Sequence, residues 1–233
     1  MSQSCVVLFS GGLDSTTTLY LARREGYKAH ALTLNYGQLH VREIESAKKI
    51  ARLLKIPHRI LKIDFPWKGS ALLDKSKKLP KGRSLREMSI GVPATYVPAR
   101  NTVFLSLALS WAEVINASSV WIGANAVDFS GYPDCRPDYL QSMEKVFELG
   151  TKNGRFGEKI AIEAPLVQKT KGEIVRLARE LKVPLEWTWS CYRGGKKPCG
   201  VCDSCLLRQK GFEEAGMPAL AMANKYAKSH AGS

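Results

Sequence analysis

The hexapeptide Ser-Gly-Gly-Leu-Asp-Ser at residues 10–15 constrains the fold more than any other feature of this chain. It follows a short apolar run at residues 5–9, which is typical of a buried parallel strand. The residues after it, 15–25, predict a helix that Gly26 ends. Glycines between a strand and a helix let the backbone approach phosphate oxygens at the positive end of the helix. The hexapeptide therefore predicts a phosphate site at the carboxyl edge of a sheet.

Strand and helix patterns alternate along the chain. Further strands are predicted at 28–34, 58–63, 119–126 and 159–164, and further helices at 41–55, 102–116, 137–150, 170–181 and 206–215. Strands separated by helices are typical of a parallel sheet covered on both faces. We therefore predict an α/β protein with a doubly wound parallel five-stranded sheet in residues 1–185. A basic, irregular insertion with a short helix is predicted at about 65–95, and a metal-binding C-terminal segment at 186–233.

The charge balance is strongly basic, with a formal net charge of +14. Such a balance favours nucleotides, nucleic acids or other anions as ligands without selecting among them. Much of it lies at residues 75–86, which predict either a solvated loop or an electrostatic funnel for ATP or a nucleic acid. No apolar run reaches the roughly 18 residues that a membrane span needs, and the first residues lack signal-peptide features. We expect a cytoplasmic protein without a membrane partner.

Four cysteines are crowded near the C-terminus, at Cys191, Cys199, Cys202 and Cys205. Four thiolates at this spacing can complete a tetrahedral shell around zinc. Because such a shell leaves no open position, we predict one structural zinc ion per chain. An iron–sulfur cluster uses the same ligands and is an alternative. Two disulfides are disfavoured in a reducing compartment.

Three side chains of the hexapeptide predict nucleotide chemistry. Ser10 and Ser15 add hydroxyl donors to the backbone of the glycine turn. Asp14 cannot attract phosphate directly, so we expect it to hold a Mg²⁺ ion that bridges the phosphates of ATP. A Walker loop, which favours γ-phosphoryl transfer, would need Gly-Lys-Ser/Thr, and the sequence has none.

A polar segment follows the predicted fourth strand and should lie at the same sheet edge. Arg136 is predicted to bind a substrate carboxylate, and Asp128 or Asp134 to accept from a guanidine-like edge. The alternative is a helix start capped by Asp134. Cys135 is either a nucleophile or, as is more usual for a partly buried cysteine, inert.

Other candidates lie at predicted element ends. Gln38 and Tyr36 follow the second strand, where they would read or stack on a base, or merely form a turn. Arg100 and Asn101 precede the helix at 102–116, where they would face an anion or cap the helix. Lys171 opens a late helix, where it would neutralise phosphates or lie on the surface.

Taken together, these segments resemble the 7-cyano-7-deazaguanine synthase family of PP-loop ATP pyrophosphatases. The resemblance runs from residue 9 to residue 205 and is most specific at Gly-Tyr-Pro-Asp-Cys-Arg-Pro (131–137) and the cysteine spacing. Many members carry glycine where Ala99 stands. The resemblance implies an ATP-dependent ligase that converts 7-carboxy-7-deazaguanine and ammonia to the nitrile through adenylated carboxylate and amide intermediates. It also implies a homodimer, with no stable nucleic-acid partner.

The resemblance implies roles for individual residues. Asp14, Ser15, Lys171 and Arg136 would be catalytic. Substrate would contact Gln38, Arg100, Asn101, Asp134 and Arg136. Residues implied to bind ATP are Phe9, Ser10, Gly11, Gly12, Leu13, Asp14, Ser15, Thr16, Thr17, Thr18 and Leu19.

Three other functions stay open. A tRNA-modifying PP-loop enzyme would suit the basic charge, but the sequence has no obvious RNA-binding domain or paired catalytic cysteine. A related enzyme would attach the deazaguanine group to a macromolecule with the same loop and cysteines. A zinc-ribbon nucleic-acid-binding protein would use the cysteines and the charge but would leave the glycine loop unexplained.

Overall fold

The computed structural model describes residues 2–39, 41–74, 76–125 and 131–222. Five strands, all parallel, form one sheet in the order β3-β2-β1-β4-β5. The strands are β1 Ser4–Leu8, β2 Lys28–Asn35, β3 His58–Lys62, β4 Ser119–Ile122 and β5 Ala161–Glu163. The described helices are α1 Leu13–Arg24, α2 Arg42–Leu54, α3 Leu85–Met88, α4 Arg100–Val114, α5 Pro137–Gly150, α6 Lys152–Arg155, α7 Lys171–Glu180, α8 Asp203–Glu214 and α9 Pro218–Ala221.

Helices cover both faces of the sheet, as the alternating side-chain directions along β1 show. Val6 and Leu8 are part of one buried core together with residues of α4 and α5. Cys5 and Val7 are part of a second core together with residues of α1 and α2. Because successive strand residues point to opposite faces, the apolar run of β1 supplies both cores. The predicted doubly wound sheet is confirmed.

The strand order reverses beside β1, which places the loops after β1 and β4 next to each other at the carboxyl edge. A Cβ atom at Gly123, directly after β4, would lie 2.9 Å from the backbone nitrogen of Ser15. This separation is shorter than real Cβ contacts, so a glycine is needed where the two loops touch. Crevices of this kind are where open α/β sheets bind ligands.

Two element boundaries differ from the prediction by more than two residues. β4 ends at Ile122 instead of 126, because the chain turns at Gly123 against the glycine loop. α8 begins at Asp203 instead of 206, because Cys202, one of the four clustered cysteines, is its N-cap. The short helices α6 and α9 were not predicted, whereas the insertion does contain one short helix, α3.

The C-terminal segment packs on the sheet domain through α7 and α8. Ile174 and Val175 of α7 share a buried cluster with Phe212 of α8. A domain boundary between 185 and 186 stays a prediction. No helix in the described ranges has both the length and the apolar character required to cross a membrane.

Candidate functional site

The glycine loop has a conformation that only glycine allows at its second position. Gly11 has φ +87°, and a Cβ atom there would overlap the backbone of Glu43 and Ala47 in α2. The same glycine therefore provides the turn and lets α2 approach the loop.

Hydrogen bonds within five residues fix the rest of this loop. Ser15 Oγ accepts from Ser10 N at 3.2 Å and lies 3.0 Å from Ser10 Oγ. Ser10 Oγ accepts from Gly12 N at 3.1 Å. Gly12 is the N-cap of α1, and no side chain among the described residues caps this helix end. The backbone amides of the first turn of α1 are therefore left without a side-chain acceptor from the described residues, as at helix starts that bind anions.

The residues after Ser15 face the protein interior. Thr16, Thr17 and Thr18 are fully buried, and their hydroxyls donate to backbone carbonyls of the loop and first turn at 2.6–3.0 Å. Neither these three residues nor Leu19 line the cavity described below. They support the loop, and direct contact with ATP stays a prediction for them.

A cavity of about 280 Å³ opens over the loop. Lys171 Nζ donates to both carboxylate oxygens of Asp14, at 3.0 and 2.8 Å. The sequence-predicted residues Phe9 and Leu13 also border this space. The remaining polar or charged residues at its wall are Ser10, Ser15, Thr33, Tyr36, Gln38, Glu43, Arg100, Asn101, Asn125, Tyr132, Ser190, Tyr192, Ser204 and Arg208.

Lys171 is held in place by two helices. It begins α7, where Thr170 and Glu173 form a reciprocal capping box. Only 7% of Lys171 is exposed. A Cβ atom at Gly211 of α8 would overlap the side chain of Lys171. The glycine in α8 therefore leaves the room that the lysine needs to reach Asp14.

Arg208 of α8 is a second buried cation at this cavity. Its guanidinium donates to Leu185 O at 3.0 Å, Thr188 Oγ1 at 2.9 Å and Ala221 O at 2.6 Å. Burial lowers the pKa of Arg208 to about 10, against the opposing effects of Cys205 and Asp14. Within the described ranges, its hydrogen-bond acceptors are neutral oxygens, so the positive charge has no carboxylate bonded to it.

Arg100 lies among aromatic residues in another part of the cavity wall. Burial acts to lower the pKa of Arg100, but the neighbouring Tyr36, Tyr132, Cys135 and Asp134 together raise it above the ordinary arginine value. The side chain is therefore a permanent cation. It lies 5.8 Å from the ring centroid of Phe104, which in turn packs edge-on against Tyr36.

Gln38 lies at the same wall but is occupied by its own loop. Its Oε1 accepts from Tyr36 N at 2.9 Å, and its Nε2 donates to Leu34 O at 3.4 Å. These bonds fix the loop after β2. Recognition of a base by Gln38 stays a prediction.

Asn101, Asp134 and Cys135 form a buried group behind Arg100. Asp134 Oδ2 accepts from Asn101 N at 3.0 Å, and Asn101 Nδ2 donates to Asp134 O at 3.0 Å and to Cys135 Sγ at 3.2 Å. Burial, with Asp134 beside it, raises the pKa of the Cys135 thiol to about 11. Asn101 and Cys135 border the cavity, whereas Asp134 does not. Substrate contact by Asp134 stays a prediction.

The structure does not bring Arg136 to the cavity. Its side chain is 60% exposed, and Nε lies 3.6 Å from Asp138 Oδ1 at the start of α5. Arg136 is the N-cap of that helix, since Pro137 occupies the first helical position. A direct role for it stays a prediction. Asp128 lies outside the described residues.

The four cysteines come together as the spacing predicts. One ligand atom from each lies within 4.8 Å of the others, and Cys199 Sγ is 4.0 Å from Cys205 Sγ. Three of the four are buried, around Trp189. A tetrahedral zinc ion with bonds of about 2.3 Å needs sulfur atoms about 3.8 Å apart, which this group satisfies with small adjustments.

Trp189 connects this cysteine group to the glycine loop. Its backbone nitrogen donates to Gly11 O at 3.1 Å, and its indole nitrogen donates to Cys191 O at 2.9 Å. The segment that carries the four cysteines is therefore one wall of the cavity.

Sequence reasoning missed Arg208, Glu43 and Tyr192 as cavity residues. Arg208 lies three residues after Cys205, on the helix that the cysteines anchor, and this spacing was its one available signal. Glu43 and Tyr192 stand in no recognisable motif, so only the fold brings them to the cavity.

The sequence is similar to a family of known proteins. The family model described as queuosine biosynthesis protein QueC matches residues 4–216. The 7-cyano-7-deazaguanine synthase of Trichodesmium erythraeum (strain IMS101) is 57% identical over 214 residues, which cover 91% of this chain and 96% of the relative. That of Nostoc punctiforme (strain ATCC 29133 / PCC 73102) is 54% identical with the same coverage.

Solved structures are more distant. A 4-thiouridine synthetase in complex with RNA and ATP aligns with a TM-score of 0.49 at 22% identity, over 94% of this chain and 52% of that one. This likeness carries no functional argument. The family is shown instead by the family match over nearly the whole chain and by the identity to relatives that the chain covers almost completely. The chain belongs to the queuosine biosynthesis protein QueC family.

Proposed function

We propose that this protein is a 7-cyano-7-deazaguanine synthase, which uses ATP and ammonia to convert a carboxylate on 7-deazaguanine to a nitrile. One observation carries the proposal beyond family membership. A single cavity contains a phosphate loop with the Asp14–Lys171 ion pair and, among aromatic side chains, the permanent cation Arg100. Such a cavity places groups suited to the phosphates of ATP beside groups suited to a flat, carboxylate-bearing substrate.

The glycine loop and the helices α7 and α8 bind ATP through different groups. The backbone of the glycine loop and the start of α1 supply donors for phosphate oxygens. Lys171 and Arg208 supply positive charge to the leaving pyrophosphate. Ser10 and Ser15, already bonded to each other, present their hydroxyls at the loop.

Arg100 is the residue that we assign to the substrate carboxylate. It lies in the cavity wall and keeps its charge at any working pH. Tyr36 and Phe104 beside it offer flat apolar surfaces for the deazapurine ring. This assignment favours Arg100 over Arg136, which stands 60% exposed outside the cavity.

The reaction then follows from charge placement. The carboxylate oxygen attacks the α-phosphorus of ATP and pyrophosphate leaves, which gives an acyl adenylate. Ammonia attacks the acyl carbon, and AMP and one proton leave, which gives the amide. The amide oxygen then attacks the α-phosphorus of a second ATP and pyrophosphate leaves. Loss of AMP and of both protons on the nitrogen gives the nitrile. The protein contributes positioning and stabilisation of the leaving groups.

The cavity suits a Mg²⁺ ion that accompanies ATP. Asp14 would hold it, because its carboxylate is 28% exposed and borders the cavity beside the phosphate loop. The ion would neutralise phosphate charge.

We assign the cysteine group to one structural Zn²⁺ per chain. The support is the donor set of four thiols and their close spacing, which suits a single ion better than a cluster of several irons.

We also infer a cytoplasmic homodimer without a stable nucleic-acid partner, from the family resemblance. The exposed Val114 and Phe156, both 77% exposed, fit burial between subunits. Light scattering on a sizing column tests the dimer, and a monomeric mass would contradict it.

The test of the activity is direct. Purified protein is incubated with 7-carboxy-7-deazaguanine, ATP and ammonium, and the products are identified by mass spectrometry. We expect the nitrile together with AMP. If no nitrile forms and AMP is released only when tRNA is supplied, the protein is instead a tRNA-modifying enzyme. A mass shift on a partner protein would identify a conjugating enzyme.

The matched control is Asp14→Ala. It should abolish nitrile formation and leave the zinc content, measured by plasma emission, unchanged. If nucleic-acid binding were the sole measurable activity and Asp14→Ala left it intact, the zinc-ribbon function would replace the enzyme.

A further inference from the structure

A basic groove of about 430 Å³ lies apart from the cavity over the glycine loop. It is lined by Leu39, Lys77, Lys78, Leu79, Lys81 and Arg193. Four of the six residues are cations and none is acidic. Three of these four cations come from the basic run at 75–86, to which the proposed reaction assigns no role.

The basic groove adjoins the ATP cavity. Gln38 and Tyr192 border the cavity, and the residues directly after them, Leu39 and Arg193, line the groove. The amide of Leu39 also donates at 3.2 Å to the carbonyl of Leu72, which is another cavity residue. An anion in the groove would therefore lie beside the phosphates and the substrate.

The basic run is pinned to the protein, which distinguishes it from a freely solvated loop. Gly82 N donates to Val201 O at 2.8 Å. Arg83 makes a two-point ion pair with Asp203, whose side chain is 1% exposed and lies between two metal-site cysteines in sequence. Lys77 Nζ donates to Gly69 O at 3.0 Å. Two distant segments of the chain thus form the walls of the groove.

Its charge is not cancelled by ion pairs. Among the described residues, no carboxylate forms an ion pair with Lys77, Lys78, Lys81 or Arg193. Asp74 is the acidic residue nearest in sequence, and its Oδ1 accepts from the backbone amide and hydroxyl of Ser76, at 3.0 and 2.7 Å. Those bonds and, to a smaller extent, the charges of Lys68 and Lys77 lower the pKa of Asp74.

We propose that the basic groove is a second anion site, specific for polyphosphate: pyrophosphate, or the triphosphate of a nucleotide outside the catalytic position. Lysines suit phosphate as point charges without a fixed geometry. The two leucines and the lysine stems give the groove an apolar floor that weakens competition from water. A single-stranded nucleic acid is disfavoured because, in the part of the chain that the structure describes, the groove lining includes no aromatic side chain to stack on bases.

The test separates this site from the catalytic one. All variants carry Lys171→Met, which removes a phosphate contact at the glycine loop. Inorganic pyrophosphate, tripolyphosphate and ATP are each titrated by calorimetry at low and at physiological salt. The groove variant adds Lys77→Gln, Lys78→Gln and Lys81→Gln. The control variant adds Lys28→Gln, Lys55→Gln and Lys182→Gln, three exposed lysines at the opposite edge of the sheet.

The groove variant and the control variant have the same net charge, so they differ only in where the three lysine charges are removed. We expect the groove variant to bind tripolyphosphate about tenfold more weakly than the control variant at low salt, because three exposed ionic contacts are lost. The difference should shrink at physiological salt. Whichever of pyrophosphate and ATP shows the larger loss identifies the source of the ligand.

Equal affinities in the two triple variants would overturn the proposal. So would a groove-dependent loss confined to a single-stranded RNA oligonucleotide, which would mark a nucleic-acid surface. Circular dichroism and thermal melting ensure that all variants are folded. Because binding is measured without turnover, failure of the groove leaves the proposed nitrile synthesis untouched, and the reverse also holds.

Discussion

The glycine loop and the α7–α8 helix pair both border the cavity, yet they contribute side-chain charges of opposite sign. The loop is built by contacts within five residues, and its single charged side chain, Asp14, is negative. The helix pair supplies the cations Lys171 and Arg208, of which Lys171 lies 157 positions from its partner in the loop. The shape of the loop thus comes from local sequence, whereas the positive charge beside it comes from helices that are distant in sequence and pack against it.

This division explains why the two regions should respond differently to mutation. A loop fixed by backbone conformation keeps its form when a distant cation is removed. A cation that depends on helix packing is lost when the packing changes, even if no ligand contact is touched. The following experiments test that difference, in order of decreasing expected effect.

Lys171→Met should have the largest effect. It removes the cation bound to Asp14 at the point where charge develops on the leaving phosphate, so we expect kcat/KM to fall about 10³-fold. Stability should change little, since methionine keeps the length of the side chain. The control is Lys182→Met, just after the end of the same helix, which should stay within twofold. Wild-type activity of Lys171→Met would show that the loop alone suffices.

Metal removal should come second. Trp189 joins the cysteine group to Gly11, so chelation should lower activity about 100-fold and lower Tm by roughly 10 °C. Differential scanning calorimetry and the nitrile assay measure the two effects. Zn²⁺ should restore both, whereas Mg²⁺ should not. Full activity in a chelated, folded protein would separate the cysteine segment from the phosphate site.

Gly211→Ala tests packing without touching any ligand. The added methyl group would overlap Lys171, so the lysine must move or α8 must shift. We expect kcat/KM to fall about tenfold, with a destabilisation of about 1–3 kcal/mol from overpacking. Gly150→Ala, where a Cβ atom meets nothing within 4 Å, is the matched control. An unchanged kcat/KM would mean that the position of Lys171 is tolerant.

Arg208→Lys should have a smaller effect on activity, since the charge remains. The forked donor set to Leu185, Thr188 and Ala221 cannot be reproduced by lysine, so we expect a loss of about 2 kcal/mol in the free energy of unfolding. KM for ATP should rise about fivefold with kcat nearly constant. Urea titration and steady-state kinetics measure these effects, with the exposed Arg176→Lys as control. A fall in kcat alone would contradict a role in nucleotide binding.

Cys135→Ala should have the smallest effect. A thiol with a pKa of about 11 is neutral at pH 7–9, so it is a poor nucleophile. We expect kcat within threefold of wild type and no change in the shape of the pH profile below pH 9. A loss of 10³-fold would instead establish a covalent step at Cys135.

The sequence predicted the sheet, the glycine loop and the cysteine group, because each depends on contiguous residues or fixed spacings. It placed Lys171 at a helix start but could not show that Asp14 is its partner. It singled out Arg136, which stands in a specific motif, and missed Arg208, which reaches the cavity through the packing of α8. Whether a side chain at a helix end turns inward is decided by tertiary contacts, which no spacing rule contains.

The bond from Trp189 to Gly11 has a consequence for synthesis of the chain on the ribosome. Asp14 is synthesised 157 residues before its partner Lys171. A nascent chain that has not reached Lys171 therefore presents the glycine loop without the cation and the helix pair that complete its cavity. The cavity is complete only after α7 and α8 have packed onto the loop.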